Sequence, residues 1–211
     1  MKIGIMQPYF FPYIGYWQLM DMVDEYVILD DVNYIKRGWI NRNYIVLNDQ
    51  PKRINLKIKD ASQNRLIKDT EIAMTQNDIN TLMSIIKQSY RRAPYFNIVY
   101  DMVGDILNYR CRGVSDFLAN QIRCLCDYLQ ISTKIILSSQ IVKDNALKGE
   151  DRIIEICKRR NADCYVNSIG GKELYHKERF RKADLDLMFL VSLPCTDREF
   201  TQGGGVESDC L

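Results

Sequence analysis

Apolar positions along the chain fall into short continuous runs separated by stretches with helical spacing. "KIGIM" (2–6) reads as a strand, and Ile14, Trp17, Met20 and Val23, three apart, predict a helix from near Tyr13, just after Pro12. "EYVILDDV" (25–32) predicts a second buried strand that ends in two aspartates. Strand, helix and strand in so short a span make a βαβ unit, which favours a parallel sheet.

Between 33 and 59 the pattern changes. "YIVL" and "RINLKIK" flank "NDQP", whose Asn and Asp suit a turn, so a hairpin is expected. Thr75 and Asp78 then form a variant capping box ahead of Ile79, Leu82, Met83, Ile86 and Tyr90 at helical spacing. Further helices are expected over 96–110 and 114–129. The α/β pattern resumes with "TKIILSS" (133–139), a helix over 151–160, "CYVNS" (164–168), a helical segment over 172–182 and "LDLMFLV" (185–191). "TQGGGVESDCL" at the end reads as a flexible loop. The expected fold is therefore one α/β domain with a parallel-type sheet, a hairpin and a mostly helical insertion at about 75–130.

Composition narrows the function classes. The 211 residues carry a net charge of only +2, so no basic field supports nucleic-acid binding. No run approaches the roughly 20 apolar residues of a membrane span. Gln7, Pro8 and Pro12 interrupt the apolar start, which argues against a signal peptide and for a cytoplasmic protein without membrane insertion. The seven cysteines lack metal spacing and His176 is the one histidine, so no metal site is expected and the thiols read as mostly reduced core residues. No nucleotide-binding glycine motif or serine-hydrolase triad is present, and no cofactor follows from the residues.

Candidate chemistry lies after the strands, where open α/β sheets bind ligands. In "QPYFFPYIGYW", Gln7 and Gly15 suit close approach of a ligand, and the rings equally suit a rigid staple between helix and sheet. In "LDDVNYIKRGWINRN", Asp30 and Asp31 are candidates for binding a cation or hydroxyls, or for acid–base work. Lys36, Arg37 and Arg42 are candidates for a phosphate clamp, with Trp39 as a ring platform; a solvated loop with internal ion pairs is the alternative. "YVNSIGGKELYH" offers backbone N–H groups at Gly170 and Gly171 for an anion, or simply a glycine turn. Ser138 and Ser139 follow another strand.

Taken in order, "MQPYFFPYIGYW", "VILDDVNYIKRGWINRN", "SYRRAPYF", "ILSSQI", "DRIIEICKRRNADCYVNSIGGKELY" and Phe180 resemble the WbqC-like family, from about residue 3 to residue 190. The resemblance implies a bacterial protein encoded among genes for O-antigen and other surface polysaccharides. It implies an enzyme that modifies an activated amino sugar, by acyl or aminoacyl transfer, with a sugar or nucleotide sugar as partner. A non-catalytic nucleotide-sugar-binding or scaffold protein is the second reading.

By position, the family's motif residues fall on Gln7, Pro8, Tyr9, Pro12, Gly15 and Tyr16, and on Asp30, Asp31, Lys36, Trp39, Asn41 and Arg42. They continue with Tyr90, Pro94, Ser139, Arg152, Asn167, Gly170, Gly171 and Tyr175. Asp30 or Asp31 would act as base for an attacking amine, with Trp39 or Tyr9 stacked on a ring. The resemblance also implies a further apolar helix where this chain reads "SDCL", so a shortened C-terminal end is expected. The first motif has a distant likeness to the strand–turn–helix of nucleotidylyltransferases and pantothenate synthetase. Those enzymes have a Gly-His pair where this chain has Gly15-Tyr16, so a likeness of fold is implied and a likeness of reaction is not.

Overall fold

The structure, a computed structural model, describes residues 1–191. The elements run β1 (Lys2–Met6), α1 (Ile14–Asp21), β2 (Glu25–Ile28), β3 (Arg42–Leu47), β4 (Gln50–Asn55), α2 (Gln76–Tyr90) and α3 (Phe96–Leu107). They continue with α4 (Val114–Leu129), β5 (Lys134–Leu137), α5 (Gly149–Arg159), β6 (Cys164–Ser168), α6 (Lys177–Arg181) and β7 (Asp186–Leu190). Five strands form one sheet in the order β5-β2-β1-β6-β7, every neighbour parallel. The chain winds outward from β1 to β5, then returns to the far side of β1 for β6 and β7. That reversal, between β1 and β6, is where doubly wound sheets open a crevice at their carboxyl ends.

The pleat sends successive side chains to opposite faces, and both faces are covered. Tyr26 and Ile28 pack with Tyr16, Leu19 and Met20 of α1 and with Ala119, Ile122 and Cys126 of α4. Val27 faces the other way, with Ile3, Ile5 and Tyr165, under Ile153, Ile156 and Cys157 of α5 and Phe180 of α6. Gly4 is required by this arrangement, because a Cβ there would stand 3.0 Å from the Tyr26 ring. Glu25, buried at the start of β2, is held by both guanidinium branches of Arg160 at 2.5 and 2.8 Å. Burial acts to raise its pKa, and the hydrogen bonds and charge of Arg160 overcome that and leave it lowered.

A third cluster fills the insertion, where Ile54 and Leu56 pack with Ile79 and Leu82 of α2, Val103, Ile106 and Leu107 of α3, and Phe117 and Leu118 of α4. The helices expected over 75–129 are all present, and α4 serves two bodies. Val114, Phe117 and Leu118, with Cys124 and Leu125 further along, pack on the insertion core, and Ala119, Ile122 and Cys126 pack on the sheet as the helix crosses over to β5. The capping box forms as expected, Asp78 N–H donating to Thr75 Oγ1 at 3.2 Å and Thr75 N–H to Asp78 Oδ2 at 3.0 Å.

Several boundaries differ from the expectation for local reasons. β2 stops at Ile28 instead of 32, because the backbone turns there and Asp30 is drawn into side-chain bonds. β5 stops at Leu137, where Ser138–Gln140 coil into a 3-10 turn. The segment 172–182 is two pieces, a 3-10 turn Ile169–Leu174 and then α6. The C-terminal "TQGGGVESDCL", with Cys210, and Cys195 lie outside the described residues. No helix among the described residues is long and apolar enough to cross a membrane.

The hairpin closes on Asn48 and Asp49 alone, at φ 52° and 59°. Positive φ at both positions is the demand of a type I′ turn, which Asn-Gly meets best. Asp49→Gly should therefore raise stability by about 0.5–1 kcal/mol in denaturant unfolding, the relief of left-handed strain exceeding the entropy that glycine adds to the unfolded chain.

Candidate functional site

The two aspartates after β2 have different surroundings. Asp30, 1 % exposed, accepts the Ser139 N–H at 2.9 Å, the Ser139 hydroxyl at 2.7 Å and the Ser115 hydroxyl at 2.8 Å. It ties the end of β2 to the segment after β5 and to the start of α4. Asp31 Oδ2 lies 2.6 Å from the ammonium of Lys143, whose side chain is 1 % exposed, and 3.7 Å from Arg152. Lys143 also donates to the Ser138 carbonyl. Burial acts to raise the Asp31 pKa; the Lys143 hydrogen bond, the nearby Ser138 hydroxyl and the charges of Lys143 and Arg152 outweigh it, so the carboxyl sits below its usual range. Asp31 Oδ1 and Arg152 Nε have no hydrogen-bond partner among the described residues.

A cavity of about 630 Å³ opens beside them, on the face covered by α5. Leu29, Asp31 and Asn33 after β2 form one wall, and Leu174 and Tyr175 after β6 form another. Lys148, Gly149, Glu150 and Arg152 bring the start of α5, and Lys68 and Asn145 complete the lining. These segments follow the strands on either side of β1, so the cavity flanks the winding reversal. A second cavity of about 540 Å³ lies within the insertion, between apolar residues such as Leu56, Ile79 and Phe117 and the cations Arg110 and Arg112. None of the strand-end candidates lines it.

Of the sequence candidates, Asp31, Arg152 and Tyr175 line the larger cavity, and Asp30 and Ser139 bond to one another behind it. Asn167 is joined to Tyr175 through Tyr165, and Gly171 lies against both Asn167 and the Tyr175 ring. Asn167 Nδ2 donates to Tyr165 Oη at 3.0 Å, and the two tyrosine hydroxyls are 3.3 Å apart. Gly171 packs against Asn167 so closely that a Cβ would meet its Nδ2 at 2.8 Å. Gly170 is exposed with open space around it.

The segment after β1 is tied down by its neighbours. Gln121, fully buried in α4, donates to the Tyr9 carbonyl at 3.0 Å and accepts the Phe11 N–H at 3.1 Å. Asn43 Nδ2 donates to the Phe10 and Phe11 carbonyls, and the Phe10 N–H donates to the Trp39 carbonyl at 2.9 Å. Phe10 enters the insertion core, whereas Tyr16 and Trp17 enter the core under the sheet. Pro8, Pro12 and Gly15 are buried, the Pro12 carbonyl accepts the Trp17 indole N–H at 3.0 Å, and the Tyr16 hydroxyl donates to the Gln7 carbonyl at 3.3 Å. Burial pushes the Tyr16 and Tyr9 hydroxyl pKa values up.

The remaining candidates lie on the insertion side. Arg42 donates to the Gly38 carbonyl at 2.9 Å and to the Arg37 carbonyl, and so shapes its own loop. Asn41 bridges the Tyr34 hydroxyl at 2.6 Å and the Leu56 carbonyl at 3.0 Å. Tyr90 Oη accepts the Val46 N–H at 3.4 Å. Lys36 is exposed, and Trp39, 42 % exposed, meets Tyr44 edge-on at 6.2 Å. None of these lines the larger cavity.

Lys68, Lys143, Asn145, Lys148 and Glu150 were outside the sequence candidates. Lys68 and Lys143 sit in segments without periodicity, and only the folded chain brings them beside Asp31. Lys148 and Glu150 had one available signal, their place at the start of a helix that follows a strand, the end of an α/β crossover that faces the ligand side.

A known protein is similar to this chain over most of its length. An uncharacterized protein of Mycobacterium tuberculosis, Rv1507c, is 27 % identical over 180 residues, covering 84 % of this chain and 76 % of its own. No solved structure matches the chain. The model of the WbqC-like protein family matches residues 7–204, spanning the loop after β1, both aspartates, α5 and the segment after β6. The chain belongs to the WbqC-like protein family.

Proposed function

We propose that the chain is an enzyme of bacterial surface-polysaccharide biosynthesis that modifies an activated amino sugar by acyl or aminoacyl transfer in the cavity beside Asp31. The observation that carries this reading is a cavity of about 630 Å³, a size suited to a small molecule, flanking the winding reversal and lined by Asp31 with one unpartnered carboxylate oxygen. In such a transfer the amine nitrogen forms a bond to the acyl carbon while the donor's leaving group departs, and the amine gives up a proton. Asp31 Oδ1 is the acceptor this reading assigns to that amine. Tyr175, on the opposite wall, supplies a ring edge for the sugar.

The second reading, a nucleotide-sugar-binding protein without turnover, draws on the same two acids. Asp30 is committed to Ser115 and Ser139, and the lowered pKa of Asp31 makes it a weak base near neutral pH, where general-base catalysis is best served by a pKa close to the operating pH.

A thermal-shift screen of nucleotide sugars, ATP and coenzyme A tests both. A ligand at ten times its Kd should stabilise the chain by about 1.4 kcal/mol, a readable rise in melting temperature. If a nucleotide sugar binds, turnover with an amine acceptor that falls at least a hundredfold in Asp31→Asn supports the enzyme. Binding without turnover supports the second reading, and a flat screen removes both.

A further inference from the structure

The charges around the cavity do not cancel. Lys143 neutralises Asp31 at 2.6 Å, and Glu150 is met by Arg179 at 3.0 Å and by the His176 N–H at 2.6 Å. Lys68 and Lys148 line the same cavity, are exposed, and have no acidic partner among the described residues. Directly after Lys148 the first turn of α5 begins at Gly149 with no side-chain cap from Lys148; Glu150 and Asp151 lie in that turn, Asp151 paired with Arg179, and the leading N–H groups carry no side-chain acceptor. Beneath lies Arg152, 8 % exposed, with its Nε unpartnered while its Nη1 donates to the Asp31 carbonyl at 3.1 Å and its Nη2 lies 3.7 Å from the Asp31 carboxylate. A buried guanidinium N–H without an acceptor is costly unless a ligand supplies one. Two free ammonium groups, an open helix start and that N–H all lack the same thing, an anionic oxygen.

We infer that the start of α5, with Lys68, Lys148 and Arg152, is a phosphate site that holds the diphosphate of a nucleotide-linked substrate. This rests on the reading of the cavity as the substrate site. It moves the phosphate away from Lys36, Arg42 and the Gly170–Gly171 turn to the opening of a crossover helix, where backbone dipole and side-chain charge act together. Asp31 lines the same cavity, beside the sugar that such a diphosphate would carry.

Titration of the full chain with inorganic pyrophosphate and with uridine diphosphate, by calorimetry at low salt, tests this. Both should bind, and the affinity should fall as salt is raised. The double variant Lys68→Gln, Lys148→Gln, in which both altered side chains are exposed and unpaired, should melt as the parent does and bind either probe at least tenfold more weakly. No binding of pyrophosphate or uridine diphosphate to the parent, or equal affinity in the double variant, overturns the site. The enzyme reading fails separately. Diphosphate binding that the double variant loses, with no nucleotide sugar turned over, leaves the site standing and removes the enzyme. Turnover of a nucleotide sugar with unchanged KM in the double variant removes the site and leaves the enzyme.

Discussion

Replacing Lys143 with methionine should cost about 3–5 kcal/mol of stability, measured by denaturant unfolding, although methionine is the more apolar side chain. Lys143 and Asp31 are both out of water, their charged atoms 2.6 Å apart. Removing the ammonium leaves a buried carboxylate with Arg152, at 3.7 Å, and the nearby Ser138 hydroxyl to offset it. The Ser138 carbonyl loses a donor in the same step. Lys143→Met combined with Asp31→Asn should regain part of the loss, since the second change removes the stranded charge. A double variant no better than the single one would place the cost elsewhere.

The pH dependence gives an independent check. In the parent the Asp31 pKa is lowered, so its contribution is complete above the unfolded-state value of about 3.9 and disappears as pH falls through the folded value. In Lys143→Met, burial raises the pKa of the same carboxyl, so folding favours the protonated form and lower pH helps the variant. The gap between the two proteins should therefore narrow as pH falls from about 6 towards 4. A constant gap would mean that the lost ammonium matters through packing alone.

The fold was legible in the sequence because its signals are local. "KIGIM", "CYVNS" and the stretch 114–129 carry unbroken apolar or helical periodicity, and each forms where that periodicity ends. The errors fall where side chains set the boundary, as at Asp30, which ends β2 by bonding to residues 85 and 109 positions away. The site was legible only in part. Strand-end reasoning reached Asp31 and Tyr175, which line the cavity, but it could not tell Arg42 from Arg152. Both are arginines within polar motifs, and one is occupied by carbonyls of its own loop while the other keeps a buried N–H free. That distinction depends on partners distant in sequence. Lys143 shows the same limit, since nothing in "IVKDN" distinguishes a buried lysine from an exposed one.

Gln121→Leu should cost about 2–6 kcal/mol, because its one amide group serves two backbone groups of the aromatic segment after β1. The substitution strands the Phe11 N–H and the Tyr9 carbonyl, at about 1–3 kcal/mol for each buried group left unpaired. Phe11 also sits at φ 46°, which an aromatic residue adopts only when its surroundings enforce it. The segment joins two cores, Phe10 in the insertion and Tyr16 and Trp17 beneath the sheet, and α4 contributes to both. Loosening it should therefore reduce cooperativity as well as stability, with fluorescence and circular dichroism transitions separating in the variant where they coincide in the parent. Gln121→Glu sharpens the assignment. A carboxylate can still accept the Phe11 N–H but repels the Tyr9 carbonyl, whereas the protonated acid can donate to it. The Glu variant should thus be destabilised near neutral pH and recover towards the parent as the buried carboxyl takes up its proton. A Leu variant within about 0.5 kcal/mol of the parent would show that the rings hold the segment without the clasp.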